Sequence, residues 1–155
     1  MDYGSVLLAL AGGVIGSGSA LLVDMQRRRH ERRERFLDRR RDAYELFLAA
    51  LIDTDAGMRA LAQAEGTPVT RDRVRNAFDA NSLLALRYRV HLIAPEPVVS
   101  ASDEVYYRLR YVREALVETN LPVGVRESQE WQDVHKPYRD ALQNLISVMQ
   151  HDIIG

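Results

Sequence analysis

Cysteine is absent from the 155 residues, so no disulfide staples this chain, which fits a reducing compartment without requiring one. Also missing are a Gly-x-x-x-x-Gly-Lys loop and a Gly-x-Ser-x-Gly elbow, and with them the usual support for phosphate cradling and serine-nucleophile chemistry. The four histidines, His30, His91, His135 and His151, stand far apart. None falls in a Glu-x-x-His or His-x-x-x-His pair, as a di-metal helical bundle would need. No segment alternates apolar and polar residues long enough to read as a strand. These absences predict an all-α protein without a metal, a cofactor or enzymatic activity of its own.

A further absence is positive information. From Gly4 to Val23 there is no charged residue, and Asp2 and Asp24 bracket the run. Twenty residues at about 1.5 Å each match the roughly 30 Å hydrocarbon core of a bilayer. Five glycines, Gly4, Gly12, Gly13, Gly16 and Gly18, dilute the leucines, a composition more common in membrane helices than in soluble ones. The preceding Met-Asp-Tyr lacks the basic n-region of a secretory signal, and a cleavage site would abut arginines. The stretch therefore predicts a transmembrane helix over 4–25, with a buried soluble helix as the alternative.

A basic juxtamembrane neck over 26–36 follows, with Arg27, Arg28, Arg29, Arg32 and Arg33 placed to meet anionic lipid headgroups. Each such cation contributes about 1 kcal/mol beside an anionic leaflet. Residues 26–42 carry nine arginines against Glu31, Glu34, Asp38 and Asp42, a net +5, whereas residues 43–155 sum to −4. The interleaved acids, the acidic body and the lack of a nucleic-acid-reading motif argue for a membrane collar rather than nucleic-acid binding. Basic flanks stay on the cytoplasmic side, which predicts a single-pass cell-membrane protein with its N-terminus outside and its body in the cytoplasm. Within the span, Gly12-x-x-x-Gly16-x-x-x-Ala20 forms a small-residue strip through which two membrane helices can approach closely. Glycine-rich spans that merely span are also common, so a homo-oligomer is one of two readings.

The remainder, 37–155, reads as a cytosolic helical bundle. Leu37, Tyr44, Phe47, Leu51, Met58 and Leu61 recur at helical spacing, and no Pro or Gly interrupts Val23 to Ala56. The membrane helix is thus expected to continue into this one as a single rod. Leu37, Tyr44, Leu51 and Met58 can serve either as a coiled-coil seam between copies or as intramolecular core. After Gly66-Thr67-Pro68, Thr70 reads as the N-cap of a second helix. One stripe along it is Val74, Phe78, Ala85, Tyr88 and Leu92, with Leu84 at its edge; Leu83, Leu86, Val90 and Ile93 form another, and two apolar faces suggest a helix packed on both sides or an oligomer contact. Ala94-Pro95-Glu96-Pro97 breaks the chain. A third helix is expected from Ser100 or Ser102, with Ser100-x-x-Asp103 resembling a capping box and Val105, Leu109, Val112, Leu116 and Thr119 as its stripe. A fourth opens at Ser128-Gln129-Glu130-Trp131 and contains Pro137, which either kinks it or marks its stronger start. The N-terminal transmembrane helix continuing into an up-down four-helix bundle is the predicted architecture.

Tyr106, Tyr107 and Tyr111 with Arg108, Arg110 and Arg113 make the densest aromatic–basic cluster. Tyr107 and Tyr111 share a face, and with Arg110 they are the candidate partner-binding residues. The competing reading is amphipathic rings packed at the bundle edge under arginine stems.

The order of features resembles a set of small, uncharacterised bacterial membrane-anchored helical proteins. They pair a glycine-rich anchor and an arginine-dense neck with a helix like Arg41-Asp42-Ala43-Tyr44-Glu45-Leu46-Phe47-Leu48 and a turn like His91-Leu92-Ile93-Ala94-Pro95-Glu96-Pro97-Val98-Val99. The resemblance implies the fold and the membrane placement, and no activity. Three functional classes follow: an anchored interaction or scaffold module for a protein partner, a membrane-active effector oligomerising through the span, and a small-ligand-sensing bundle. The first is the leading expectation. Reporter fusions should place Gly155 in the cytoplasm; an active periplasmic-type reporter at that end would reverse the predicted topology.

Overall fold

A computed structural model of the chain describes residues 34–63, 69–118 and 129–154. The expected span 4–25, the strip Gly12, Gly16 and Ala20, and the arginines Arg27, Arg28, Arg29, Arg32 and Arg33 all lie outside the described residues. Among the described residues there is no strand, and no helix is long and apolar enough to cross a membrane. Arg40–Gly155 form one compact unit. Residues 34–39, the described part of the other unit, are helical and mostly exposed.

Helix α1 covers residues 34–63. Its apolar spacing of three and four residues buries one stripe, with Tyr44, Phe47, Leu51 and Met58 all inside the core. A fully buried side chain of this size stabilises the fold by about 1.5–3 kcal/mol. Tyr44, Leu51 and Met58 are therefore intramolecular core, and the coiled-coil seam between copies is not available to them.

The single second helix expected after Thr70 is two helices, α2 (Arg71–Asp79) and α3 (Leu83–His91). Thr70 does cap α2, its hydroxyl accepting from Arg73 N at 3.4 Å. The break comes at Ser82, whose φ of 50° lies in the left-handed region. Its N–H turns back to Asp79 O at 3.3 Å, and the neighbouring Asn81 Nδ2 donates to the buried Thr54 Oγ1 at 3.2 Å. A side-chain bond of this kind competes with the helical ladder, as asparagine and serine often do. The turn changes which stripe is buried. Val74 and Phe78 are core on α2, whereas on α3 the core positions are Leu83 and Val90. Ala85, Tyr88 and Leu92, expected to continue the α2 stripe, face solvent instead.

Helix α4 (Glu96–Glu118) begins earlier than expected. Pro95 O accepts from Val98 N at 3.0 Å and from Val99 N at 3.1 Å, and Pro97 fits the first turn because an N–H there would have no intrahelical acceptor. Ser100 and Ser102 are thus helix interior. The Ser102 hydroxyl donates to Val98 O at 2.7 Å, and Asp103 is engaged by α3 rather than by a cap. Val105, Leu109, Val112 and Leu116 are buried as the spacing predicts. The helix packs against α2, α3 and α5.

Helix α5 (Gln129–Ile154) runs through Pro137 without restarting. Tyr138, Leu145 and Met149 enter the core. Its pairing with α1 is antiparallel: Asp152 meets Arg40 and Tyr44, the Tyr138 hydroxyl donates to Leu51 O, and His135 meets Asp55.

Two backbone substitutions follow. A Cβ built on Gly57 lies 3.8 Å from the Ala77 Cβ, ordinary contact, so Gly57→Ala should stabilise by about 0.5–1 kcal/mol through helix propensity. Ser82→Val should destabilise by about 1–2 kcal/mol, because a β-branched residue resists the left-handed conformation. Denaturant midpoints check both, and opposite signs would contradict the assigned backbone.

Candidate functional site

Because the turn at Ser82 rotates α3, Leu84, Tyr88 and Leu92 line up one helical turn apart on its outer side. Tyr107 and Tyr111 do the same on α4. All five are exposed, Leu92 at 84% and Tyr88, Tyr107 and Tyr111 at 54%, 54% and 58%. Exposed apolar side chains scattered singly mean little, but a contiguous group is a feature to explain.

Arg87 ties the two rows together. It is 9% exposed, and its guanidinium carbon lies 4.6 Å from the Tyr106 ring centroid, 5.4 Å from that of Tyr88 and 5.6 Å from that of Tyr107. Such a cation over aromatic faces is stabilised by the ring quadrupole, by more as water is excluded. Its Nε lies 2.9 Å from Asp103 Oδ1 without a hydrogen-bond alignment, so that contact is Coulombic. His91 Nε2 approaches the same oxygen at 2.8 Å. The side chain of Asp103 is partly exposed, and it anchors α4 to two residues of α3.

Of the residues expected to bind a partner, Tyr107 and Tyr111 do stand in the open. Arg110 pairs with Glu114 at 3.0 Å, and that contact, seconded by Arg113, holds the Glu114 carboxyl below its usual range. Tyr106, from the same sequence cluster, is instead core and packs edge-on against Phe78 at 6.0 Å. Sequence reasoning missed Arg87 and the contacts of Asp103 with α3; it expected a surplus apolar face after Thr70 without deciding which stripe points outward. The available signal was Asn81-Ser82, a pair that favours turns, in the middle of an apolar pattern.

A second polar cluster lies between α1 and α5. His135 Nε2 donates to Asp55 Oδ1 at 2.7 Å, with both side chains buried, and Arg59 meets Asp55 Oδ2 at 2.8 Å. Trp131 stacks on the imidazole at a centroid distance of 5.0 Å and Tyr138 meets it edge-on at 5.5 Å. An Asp–His pair can orient a general base; here both side chains are buried and Trp131 covers a face of the imidazole. The arrangement satisfies a buried carboxylate. At the other end of α5, Arg40 holds Asp152 with two bonds of 2.9 and 3.0 Å and Tyr44 donates to it at 2.7 Å. Among the described residues no group of three or more potential ligands could hold a metal ion.

The chain matches no family model, no curated protein and no solved structure. The assignment of a site therefore rests on this geometry.

Two of the buried phenols, Tyr44 and Tyr138, give the fold an alkaline limit. Burial pushes the Tyr138 hydroxyl well above its ordinary value, with the Asp55 charge adding to the effect. Burial likewise raises Tyr44, reinforced by its bond to Asp152. Each folded-state value exceeds the unfolded one, so the stabilisation is complete below about pH 10 and falls as pH rises beyond it, by about 1.4 kcal/mol per unit for each tyrosine. Denaturant titrations between about pH 10 and 12 should show this loss, and Tyr138→Phe should reduce the slope. An unchanged slope in that variant would mean its phenol ionises freely.

Proposed function

We propose that this chain is a membrane-anchored interaction module whose docking face is the tyrosine–leucine patch of α3 and α4. In this reading the stretch 4–25 crosses the membrane and the neck arginines Arg27, Arg28, Arg29, Arg32 and Arg33 engage anionic headgroups. Helix α1, the α2–α3 pair, α4 and α5 are the four legs of an up-down bundle held in the cytoplasm. The partner is a protein, and the module performs no reaction.

The observation that carries the reading is the exposure of Leu84, Tyr88, Leu92, Tyr107 and Tyr111, with the buried Arg87 guanidinium against the Tyr88 and Tyr107 rings. Protein interfaces draw their strongest contacts from tyrosine, tryptophan and arginine with a large apolar body and little entropy to lose. Here Arg87 fixes the inner edges of Tyr88 and Tyr107, so the patch is organised before a partner arrives. Pre-organisation lowers the ordering cost of association.

A photo-crosslinking amino acid placed at Tyr107 of the full-length chain in its native membrane should yield a discrete adduct. Tyr88→Glu should reduce that adduct tenfold or more, since loss of a central aromatic anchor costs about 2 kcal/mol. The same probe at Arg139, on the exposed side of α5, should yield none. Equal adducts from both positions, or an adduct indifferent to Tyr88→Glu, would remove the docking face.

A further inference from the structure

The docking face consists of two antiparallel rows, and the rows differ in charge. Helix α3 carries Arg87 and Arg89 and no acid, a net +2, and His91 adds to this when protonated. Helix α4 carries five acids, Glu96, Asp103, Glu104, Glu114 and Glu118, against Arg108, Arg110 and Arg113, a net −2. Counting Asp79, the last residue of α2, with the α3 row still leaves that row at a net +1. The face as a whole is close to neutral, so it selects no partner of a single sign. What complements it is a surface bearing the same two rows in the opposite order.

A second copy of the chain supplies that surface through a two-fold axis parallel to the helices. The axis sets α3 of each copy on α4 of the other in antiparallel pairs, and closed two-fold pairing is the commonest form of oligomer. It also preserves height along the helices. Within one copy the Arg87 guanidinium carbon lies 4.6 Å from the Tyr106 ring centroid and 5.6 Å from that of Tyr107, while His91 meets Asp103. Arg89, midway between Arg87 and His91, therefore stands level with Glu104. At about 100° per residue, Arg89 is turned to the side of α3 away from α4, and Glu104 to the side of α4 away from α3. The axis superposes these outer edges, bringing Arg89 beside Glu104 of the second copy and Tyr88 beside its Tyr107. Arg89 is exposed and has no ion-pair partner among the described residues. Glu104 is held only by the exposed Arg108, a surface pair that is easily exchanged.

The area is sufficient. Three half-exposed tyrosines and two exposed leucines present roughly 500 Å² of mostly apolar surface. That matches the apolar share of the roughly 800 Å² that each partner of a stable interface buries.

We propose that the protein docked on this face is a second copy of the same chain, with α3 of each on α4 of the other. This rests on the docking reading and names its partner.

Energy transfer between donor- and acceptor-labelled full-length chains, diluted stepwise in vesicles of zwitterionic lipid, tests it. Wild-type chains should show transfer above that of a non-interacting pair of membrane proteins. Arg89→Glu and Glu104→Arg, both at exposed positions, should each weaken association tenfold or more, because like charges then meet across both seams. Mixing donor-labelled Arg89→Glu chains with acceptor-labelled Glu104→Arg chains should restore it, since both seams again pair opposite charges. A defect in the fold of either chain alone could not be repaired in this way. Transfer indifferent to both charge reversals, as association through the span alone would give, overturns the proposal, and so does a mixture that stays apart. The photo-crosslinker at Tyr107 separates it from the docking reading. An adduct at twice the mass of the chain supports the second copy. An adduct of any other mass overturns it and leaves the docking face in place, whereas no adduct overturns both.

Discussion

The turn at Asn81 and Ser82 is the constraint on which the functional surface depends. Had α2 and α3 been one helix, Val74, Phe78, Ala85 and Tyr88 would have followed one another on a single buried face. Instead Ser82 takes a left-handed conformation and Asn81 is tied to Thr54 on α1, which re-phases the helix that follows. Leu83 and Val90 become core, and Leu84, Tyr88 and Leu92 are released to solvent. A non-glycine residue pays roughly 1–2 kcal/mol for this conformation, which the burial of Leu83 and Val90 is large enough to offset. The docking face is a consequence of that re-phasing.

Arginine has two structural uses in the described unit. Arg40 and Arg59 contact acids that pin α1 to α5: Arg40 binds Asp152 and Arg59 supports the carboxylate held by His135. Arg87 and Arg113 lie over aromatic rings of the α2–α3–α4 side, where a planar, weakly hydrated cation can stack in a way an ammonium cannot. The buried pairs are high-stakes contacts rather than large net stabilisers, because desolvation consumes much of the Coulombic gain. Their effect is on register: each fixes one residue of α1 or α3 against one residue of α5 or α4. Surface pairs such as Arg108 with Glu104 add little by comparison.

The helical class, the buried stripes of α1 and α4 and the Thr70 cap were legible in the amino-acid sequence. They rest on interactions within a few residues, on periodicity or on a short polar side chain at a helix start. Tertiary structure decided the rest. It placed α4's start at Glu96, with Pro97 in a first turn that accepts proline, and made Tyr44, Leu51 and Met58 core rather than a seam between copies. It also split α2 from α3 and gathered Arg87, Tyr88, Tyr106, Tyr107 and Asp103 from two helices into one cluster. Local pattern cannot specify such a cluster, because both α3 stripes are apolar and only the bond from Asn81 to a hydroxyl 27 residues away, with the packing of α3 on α4, selects the one that is buried.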